Sequence, residues 1–183
     1  VISSLLSLQS GQLQSRFARD LFRESRNRIA TMALVHEELY QQEDFSGVEL
    51  LAYADKLLPR LANAFGGGAG ITTRTEGRGV RVSLNQAIPA GLIINEMVTN
   101  ALKHAFPEGE AGEVVVRIDP ADHHVAVEVR DNGAGLPPDF DLDSEGGLGC
   151  ELMRQLARQL GGELAVENRG SGPDGSGARF RFE

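Results

Sequence analysis

The sequence predicts an α+β fold: a two-layer α/β sandwich in which one mixed sheet carries helices on one face, preceded by a helical hairpin. Three observations predict it. Apolar residues recur at three-to-four-residue steps over residues 1–42 and again over 48–65. From residue 80 onward the apolar period drops to two, in five separate short runs. Between those runs fall two further helical stretches, about 86–105 and 149–160, the alternation that builds a layered domain.

The elements follow in order. Leu13, Phe17, Leu21, Arg28/Ile29, Met32, His36 and Leu39 form the first stripe, with a bend or hairpin turn near Gly11. A helical hairpin this small buries too little apolar surface to stand alone, so it should pack on a partner chain or on the rest of this one. Asp44 or Ser46 is placed to cap the next helix, which carries Leu50, Leu51, Leu57, Leu58 and Leu61, with Pro59 inside it. The run GGGAG (66–70) ends that pattern. Strands are expected at 80–84, 114–118, 125–129, 164–166 and 180–182, and the loop DPADH makes the second and third an antiparallel hairpin. The stretch NRGSGPDGSG (168–177) reads as a glycine-rich loop.

Composition narrows the functional classes. The chain has 183 residues, 41% hydrophobic and 24% charged, enough apolar content for a core. One cysteine excludes an internal disulfide framework and leaves no ligands for a zinc ribbon or iron–sulfur site. No apolar run approaches the ~18 residues a membrane span needs. The formal net charge is −8, and residues 45–183 hold 13 Lys/Arg against 20 Asp/Glu. Such a field repels a phosphate backbone, which argues against nucleic-acid binding. The chain opens on Val1 with no signal-peptide pattern, so a fragment of a cytoplasmic protein is expected.

Four motifs carry chemistry. The helix at 86–105 contains NEMVTNALKHAF. At about 100° per residue, Asn100, Lys103 and His104 fall within roughly 80° of Glu96, opposite the alanine and aliphatic side that should meet the sheet. A solvated polar face is the bland explanation, but an asparagine inside a helix is an odd choice for solvation alone. DNGAG (131–135) follows a strand; Asp131 can accept a hydrogen bond from an exocyclic amine, and Gly133 and Gly135 permit close backbone approach. GGLG (146–149) opens a helix whose free N–H groups suit phosphate. GSGARF (175–180) is a glycine turn entering a strand.

In this order and spacing the four motifs resemble the N, G1, G2 and G3 boxes of the GHKL (Bergerat) ATP-binding fold of histidine kinases, gyrase, Hsp90-type chaperones and MutL-type proteins. VISSLLSLQS and RESRNRIATMALVHEELYQ resemble the dimerisation and phosphoacceptor helices of bacterial sensor histidine kinases, in a sister group of the HWE kinases; the Trp-x-Glu signature is missing because the chain has no Trp. The resemblance implies a division into phosphotransfer helices at 1–44 and a catalytic ATP-binding domain at 45–183. It implies that Asn100 ligates Mg²⁺, that Glu96 orients the metal's water shell or acts as a base, and that Lys103 and His104 contact phosphates. It further implies that Asp131 reads the adenine amino group and that Gly133 and Gly135 shape the base site. Gly147, Leu148 and Gly149 then hold the phosphate end, and Gly177 closes the adenine side.

The implied activity is ATP-dependent protein-histidine kinase, with the phosphoryl group passing to an aspartate of a response regulator receiver domain and with a homodimer through the N-terminal helices. The family's acceptor histidine precedes the VISSLLSLQ stretch, so these 183 residues are expected to bind Mg-ATP without being their own substrate. His36 lies on the apolar stripe and reads as a bundle or interface histidine; His123 and His124 read as solvated turn residues, and Cys150 as a packing residue. The arginine-rich first helix reads as a solvated face balanced by Asp20 and Glu24, or as a dock for an acidic receiver. No Lys or Arg lies between Arg130 and Arg154, so Mg²⁺, Lys103 and the helix start at Leu148 must meet the triphosphate charge unless another segment folds in. Two other readings share the same boxes: a GHKL serine kinase of anti-sigma type, and a non-catalytic nucleotide-binding scaffold.

Overall fold

A computed structural model describes residues 16–41, 47–65, 70–107, 110–121, 124–137, 140–142, 147–172 and 175–183. The elements run α1 (Arg16–Gln41), β1 (Val48–Glu49), α2 (Leu50–Phe65), β2 (Ile71–Gly77), β3 (Arg81–Val82) and α3 (Leu84–His104). They continue with β4 (Gly112–Pro120), β5 (Val125–Asp131), α4 (Leu148–Leu160), β6 (Leu164–Gly172) and β7 (Gly175–Phe182). The main sheet has the order β2-β4-β5-β7-β6, with β2 and β4 parallel and every other pair antiparallel. The mixed sheet and the 114–129 hairpin are therefore as expected. Leu13, Gly11, Asp44, Ser46 and His123 lie outside the described residues, as does the side chain of His36.

One sheet face is apolar because strand side chains alternate. Val114, Val116 and Ile118 of β4 and Val127 and Val129 of β5 are all buried against Ile93, Ile94 and Met97 of α3 and Met153 of α4. Tyr53 of α2 is fully enclosed, and it fits over Gly91 of α3, where a Cβ would stand 2.6 Å from the tyrosine oxygen. Among the described residues no helix covers the opposite face, which is laced with charge. Arg74 donates to Glu113 at 2.8 Å, Arg130 to Glu76 at 2.8 Å, Arg117 to Asp119 at 2.6 Å and Arg179 to Glu167 at 2.9 Å.

Several local expectations change. The strand expected at 80–84 shrinks to Arg81–Val82, which pairs with Val48–Glu49 as a separate two-stranded ribbon; Leu84 already begins α3. The cap of α2 is Glu49, whose carboxylate accepts from Leu51 N at 3.0 Å and Ala52 N at 2.7 Å, occupying orphan donors of the first turn. The same carboxylate accepts from Val80 N at 3.1 Å, joining the ribbon to the helix start. The ITTRTEG segment forms β2, an unexpected edge strand whose threonines supply β-branched shape without an apolar period. The glycine-rich 168–177 stretch is largely strand: β6 and β7 carry it as a hairpin with a register shift between Arg169 and Gly172.

The first helix also departs from its stripe. Among its described side chains Thr31 and Leu34 are the buried ones, while Met32 is 39% exposed; those of Phe17, Leu21 and Leu39 lie outside the described residues. The reason lies in what the helix meets: α1 packs along the polar side of α3, with Leu34 reaching the apolar core. No helix among the described residues is long and apolar enough to cross a membrane.

Candidate functional site

Helix α3 supplies the polar side chains. Gln86 Oε1 accepts from Ser83 N at 3.1 Å, and the helix begins at Leu84, two residues before the expected start. Its remaining faces are buried over the sheet and α2, and this fixes the rotation that turns Glu96, Thr99, Asn100 and Lys103 to one side. That side opens on a cavity of about 760 Å³. The cavity runs from Glu96, Asn100, Lys103 and His104 of α3, past Gly147, Leu148 and Gly149 at the start of α4, to Asp131 and Gly135 after β5. Nine of the eleven residues singled out from sequence thus share one wall.

Asp131, 3% exposed, ends β5 at the far side of the cavity. Its Oδ1 accepts from Gly133 N at 3.0 Å and from Ala178 N at 3.1 Å. Two backbone donors fix the orientation of the carboxylate. Gly133 and Gly177 stand behind the wall rather than in it. A Cβ on Gly133 would lie 2.1 Å from the carbonyl oxygen of Ala105, and one on Gly177 would lie 2.1 Å from that of Asp131. Gly177 also has φ of +131°, a conformation open mainly to glycine. These two glycines seat the Asp131 turn against the end of α3 and against β7.

At the near side, the start of α4 comes close to α3. A Cβ on Gly149 would stand 2.8 Å from Glu96 Oε2 and 4.0 Å from Asn100 Oδ1. Gly147, Leu148, Gly149 and Cys150 of this first turn all line the cavity, and Leu148 is 62% exposed. Glu96 and Asn100, one turn apart, place a carboxylate and an amide oxygen beside that turn. No group of three or more His, Cys, Asp or Glu suited to a metal occurs among the described residues. This donor set fits a Mg²⁺ ion that arrives on phosphate oxygens and keeps part of its water, not one caged by protein alone.

The polar side of α3 is covered in part: Glu96 and Thr99 are buried, Asn100 and Lys103 half-buried and His104 exposed. Glu96 is only 5% exposed because α1 covers it. Arg28 donates from Nε to Oε1 and from Nη2 to Oε2, both at 2.8 Å. Asn95 Nδ2 donates to Glu96 Oε1 at 3.0 Å, and Thr31 Oγ1 donates to Asn95 Oδ1 at 3.0 Å. Lys103 pairs with Glu24 and lies 5.0 Å from the centre of the Phe65 ring. Glu24, Arg28, Thr31 and Asn95 went unnoticed as site residues in the sequence. The available signal was charge order: Glu24 and Arg28, one turn apart, mirror Lys103 and Glu96.

Two titratable groups at the cavity are shifted. Burial pushes the His104 imidazole below its ordinary value, helped by the Lys103 charge and opposed by Glu24. Burial pushes the Cys150 thiol up, reinforced by Glu96 and opposed by Arg154. Burial outweighs any lowering by the helix start, and Cys150 is a packing residue at 7% exposure.

A mixed sheet with helices on one face, and a cavity bounded by an Asn-bearing helix, an Asp-Gly turn and a glycine-led helix start, define a GHKL-type ATP-binding domain. Residues 85–183 match the family described as histidine kinase-, DNA gyrase B-, and HSP90-like ATPase, and residues 1–65 match a family described as histidine kinase. The chain belongs to the histidine kinase-, DNA gyrase B- and HSP90-like ATPase family.

Blue-light-activated histidine kinase 2 of Erythrobacter litoralis is 32% identical over 182 residues, covering 94% of this chain and 50% of that protein. Sensor histidine kinase PdtaS of Mycobacterium tuberculosis is 30% identical over 169 residues, covering 91% and 34%. The chain therefore spans half or less of the length of these relatives. Among solved structures, the histidine kinase domain of an Erythrobacter litoralis blue-light-activated histidine kinase superposes with a TM-score of 0.76 at 29% identity, covering 98% of this chain and 81% of that one.

Proposed function

We propose that the chain is the catalytic part of a two-component sensor histidine kinase. It binds Mg-ATP and passes the γ-phosphoryl group to a histidine outside residues 1–183, from which an aspartate of a response regulator receiver takes it. The observation that carries this reading is the single cavity holding Glu96 and Asn100 at one end and the doubly hydrogen-bonded Asp131 at the other.

In this reading Asp131 accepts from the adenine amino group, and two backbone N–H groups hold its carboxylate in place for that contact. Asn100 offers its amide oxygen to Mg²⁺, and Glu96 orients the ion's water or takes a proton. The metal, when bound, neutralises phosphate charge. Lys103, His104 and the N–H groups from Gly147 to Gly149 position the phosphates, as phosphoryl transfer requires of a protein whose main work is placement and charge compensation. The phosphotransfer helices occupy residues 1–44, the nucleotide-binding unit residues 45–183, and two copies meet through the former.

Titration calorimetry with Mg²⁺ and ATP tests the site directly, and absence of saturation at millimolar nucleotide refutes it. With the intact kinase and γ-labelled ATP, acid-labile label identifies phosphohistidine. Acid-stable label would instead indicate the serine kinase, and no label a scaffold.

A further inference from the structure

Two charged pairs of opposite polarity join α1 to α3 at the mouth of the cavity. Glu24 takes Lys103, and Arg28 takes Glu96 through both carboxylate oxygens at 2.8 Å. Glu24 itself forms part of the cavity wall. A carboxylate thus stands beside the ammonium group that the reading above assigns to a phosphate. The second pair occupies both oxygens of the acid assigned to the metal's water.

The same interface is poorly finished. Asn27 Nδ2 and Thr99 Oγ1 are both enclosed without a hydrogen-bond partner, and both lie in register between the Glu24–Lys103 and Thr31–Asn95 contacts. Orphaned buried polar groups offset part of what the ion pairs contribute to docking. Further along α1 the attachment changes character. Leu34 is buried in the core, and the hydroxyl of the enclosed Tyr53 donates to Thr31 O at 3.4 Å. The charged end is built to let go while the Leu34 end stays.

We propose that Glu24 and Arg28 form a reversible charge latch on the nucleotide site. This rests on the reading of that site given above. Docked, α1 withholds Lys103 and Glu96 from the nucleotide. The phosphates of Mg-ATP compete with Glu24 for Lys103, so docking of α1 and nucleotide binding oppose each other. Linkage makes this reciprocal: whatever releases α1 tightens nucleotide binding, and nucleotide loosens α1.

The test compares Mg-ADP affinity by calorimetry for the unmodified chain, Glu24→Gln, Arg28→Gln and the double variant, at low salt and with far-UV circular dichroism as the check on folding. Glu24→Gln and the double variant should bind about 5-fold or more tightly than the unmodified chain. In the unmodified chain, amide exchange over residues 23–28 should quicken when Mg-ADP saturates the site. Unchanged or weaker affinity in a folded Glu24→Gln, or α1 amides that slow on adding Mg-ADP, overturns the latch and leaves the site standing. No binding by any variant overturns the latch and the nucleotide site together. If Arg28→Gln fails to fold, Glu24→Gln and the exchange measurement decide.

Discussion

Arg28 grips Glu96 across 68 residues of sequence through two parallel N–H···O bonds of 2.8 Å, with 17% and 7% of the two side chains exposed. Fork-to-fork geometry of this kind fixes both partners more firmly than a single ion contact would. The pair therefore sets how α1 lies on α3, and with it how much of the cavity's near end is open.

The coupling between these residues should be measurable. A double-mutant cycle of Arg28→Ala and Glu96→Gln, read by chemical denaturation, should give about 1–3 kcal/mol. A coupling near zero would mean that water reaches the pair as freely as it reaches a surface contact.

Asp131→Asn keeps the shape and one acceptor for the Gly133 and Ala178 amides but replaces the acceptor facing the cavity by an amide. The fold should persist. Nucleotide affinity should fall by roughly 10-fold or more, the range of one hydrogen bond to a charged group. Equal affinity for the variant in calorimetry would move the adenine contact elsewhere.

Gly133→Ala should be costly and Gly147→Ala cheap to stability. The first places a Cβ 2.1 Å from a backbone oxygen that cannot yield; the second meets nothing within 4 Å. A loss of about 1–3 kcal/mol in thermal or chemical unfolding is expected for Gly133→Ala, and about 0.5 kcal/mol or less for Gly147→Ala. Equal losses would show that the turn after β5 can shift.

His104 should make the fold sensitive to mild acid. Its folded pKa lies below the ordinary histidine value. As pH falls through about 6.5, the unfolded chain takes up a proton that the folded chain refuses, so stability drops until the lower folded pKa is passed. His104→Gln should flatten this part of the profile between about pH 7 and pH 5. A profile identical to that of the unmodified chain would assign the loss to other groups.

What the sequence made legible was local. The period of α3 placed Glu96, Asn100, Lys103 and His104 on one side, and the Asp-Gly and Gly-Leu-Gly turns marked the other walls, because helix rotation and glycine turns are written within a few neighbouring residues. The strand at Ile71–Gly77 was hidden because an edge strand with one aliphatic residue has no period to read. The cap at Glu49 was hidden because the capping preference points to shorter side chains. The cover over Glu96 was hidden most deeply. Arg28 reads as one of five arginines on a solvated helix, and only the packing of α1 on α3 singles it out.

The uncovered sheet face has a consequence for how other molecules find this one. Arg74, Arg117, Arg130 and Arg179 alternate there with Glu76, Glu113, Asp119 and Glu128, each within ion-pair reach of an opposite neighbour. With Arg181 and Glu167 on the same face, opposite charges at that spacing largely cancel within about a Debye length of 8 Å at physiological ionic strength. To an approaching macromolecule this broad flank is electrically silent. Long-range guidance must come from the acidic excess carried elsewhere on the chain, leaving the flank to be recognised by shape at contact.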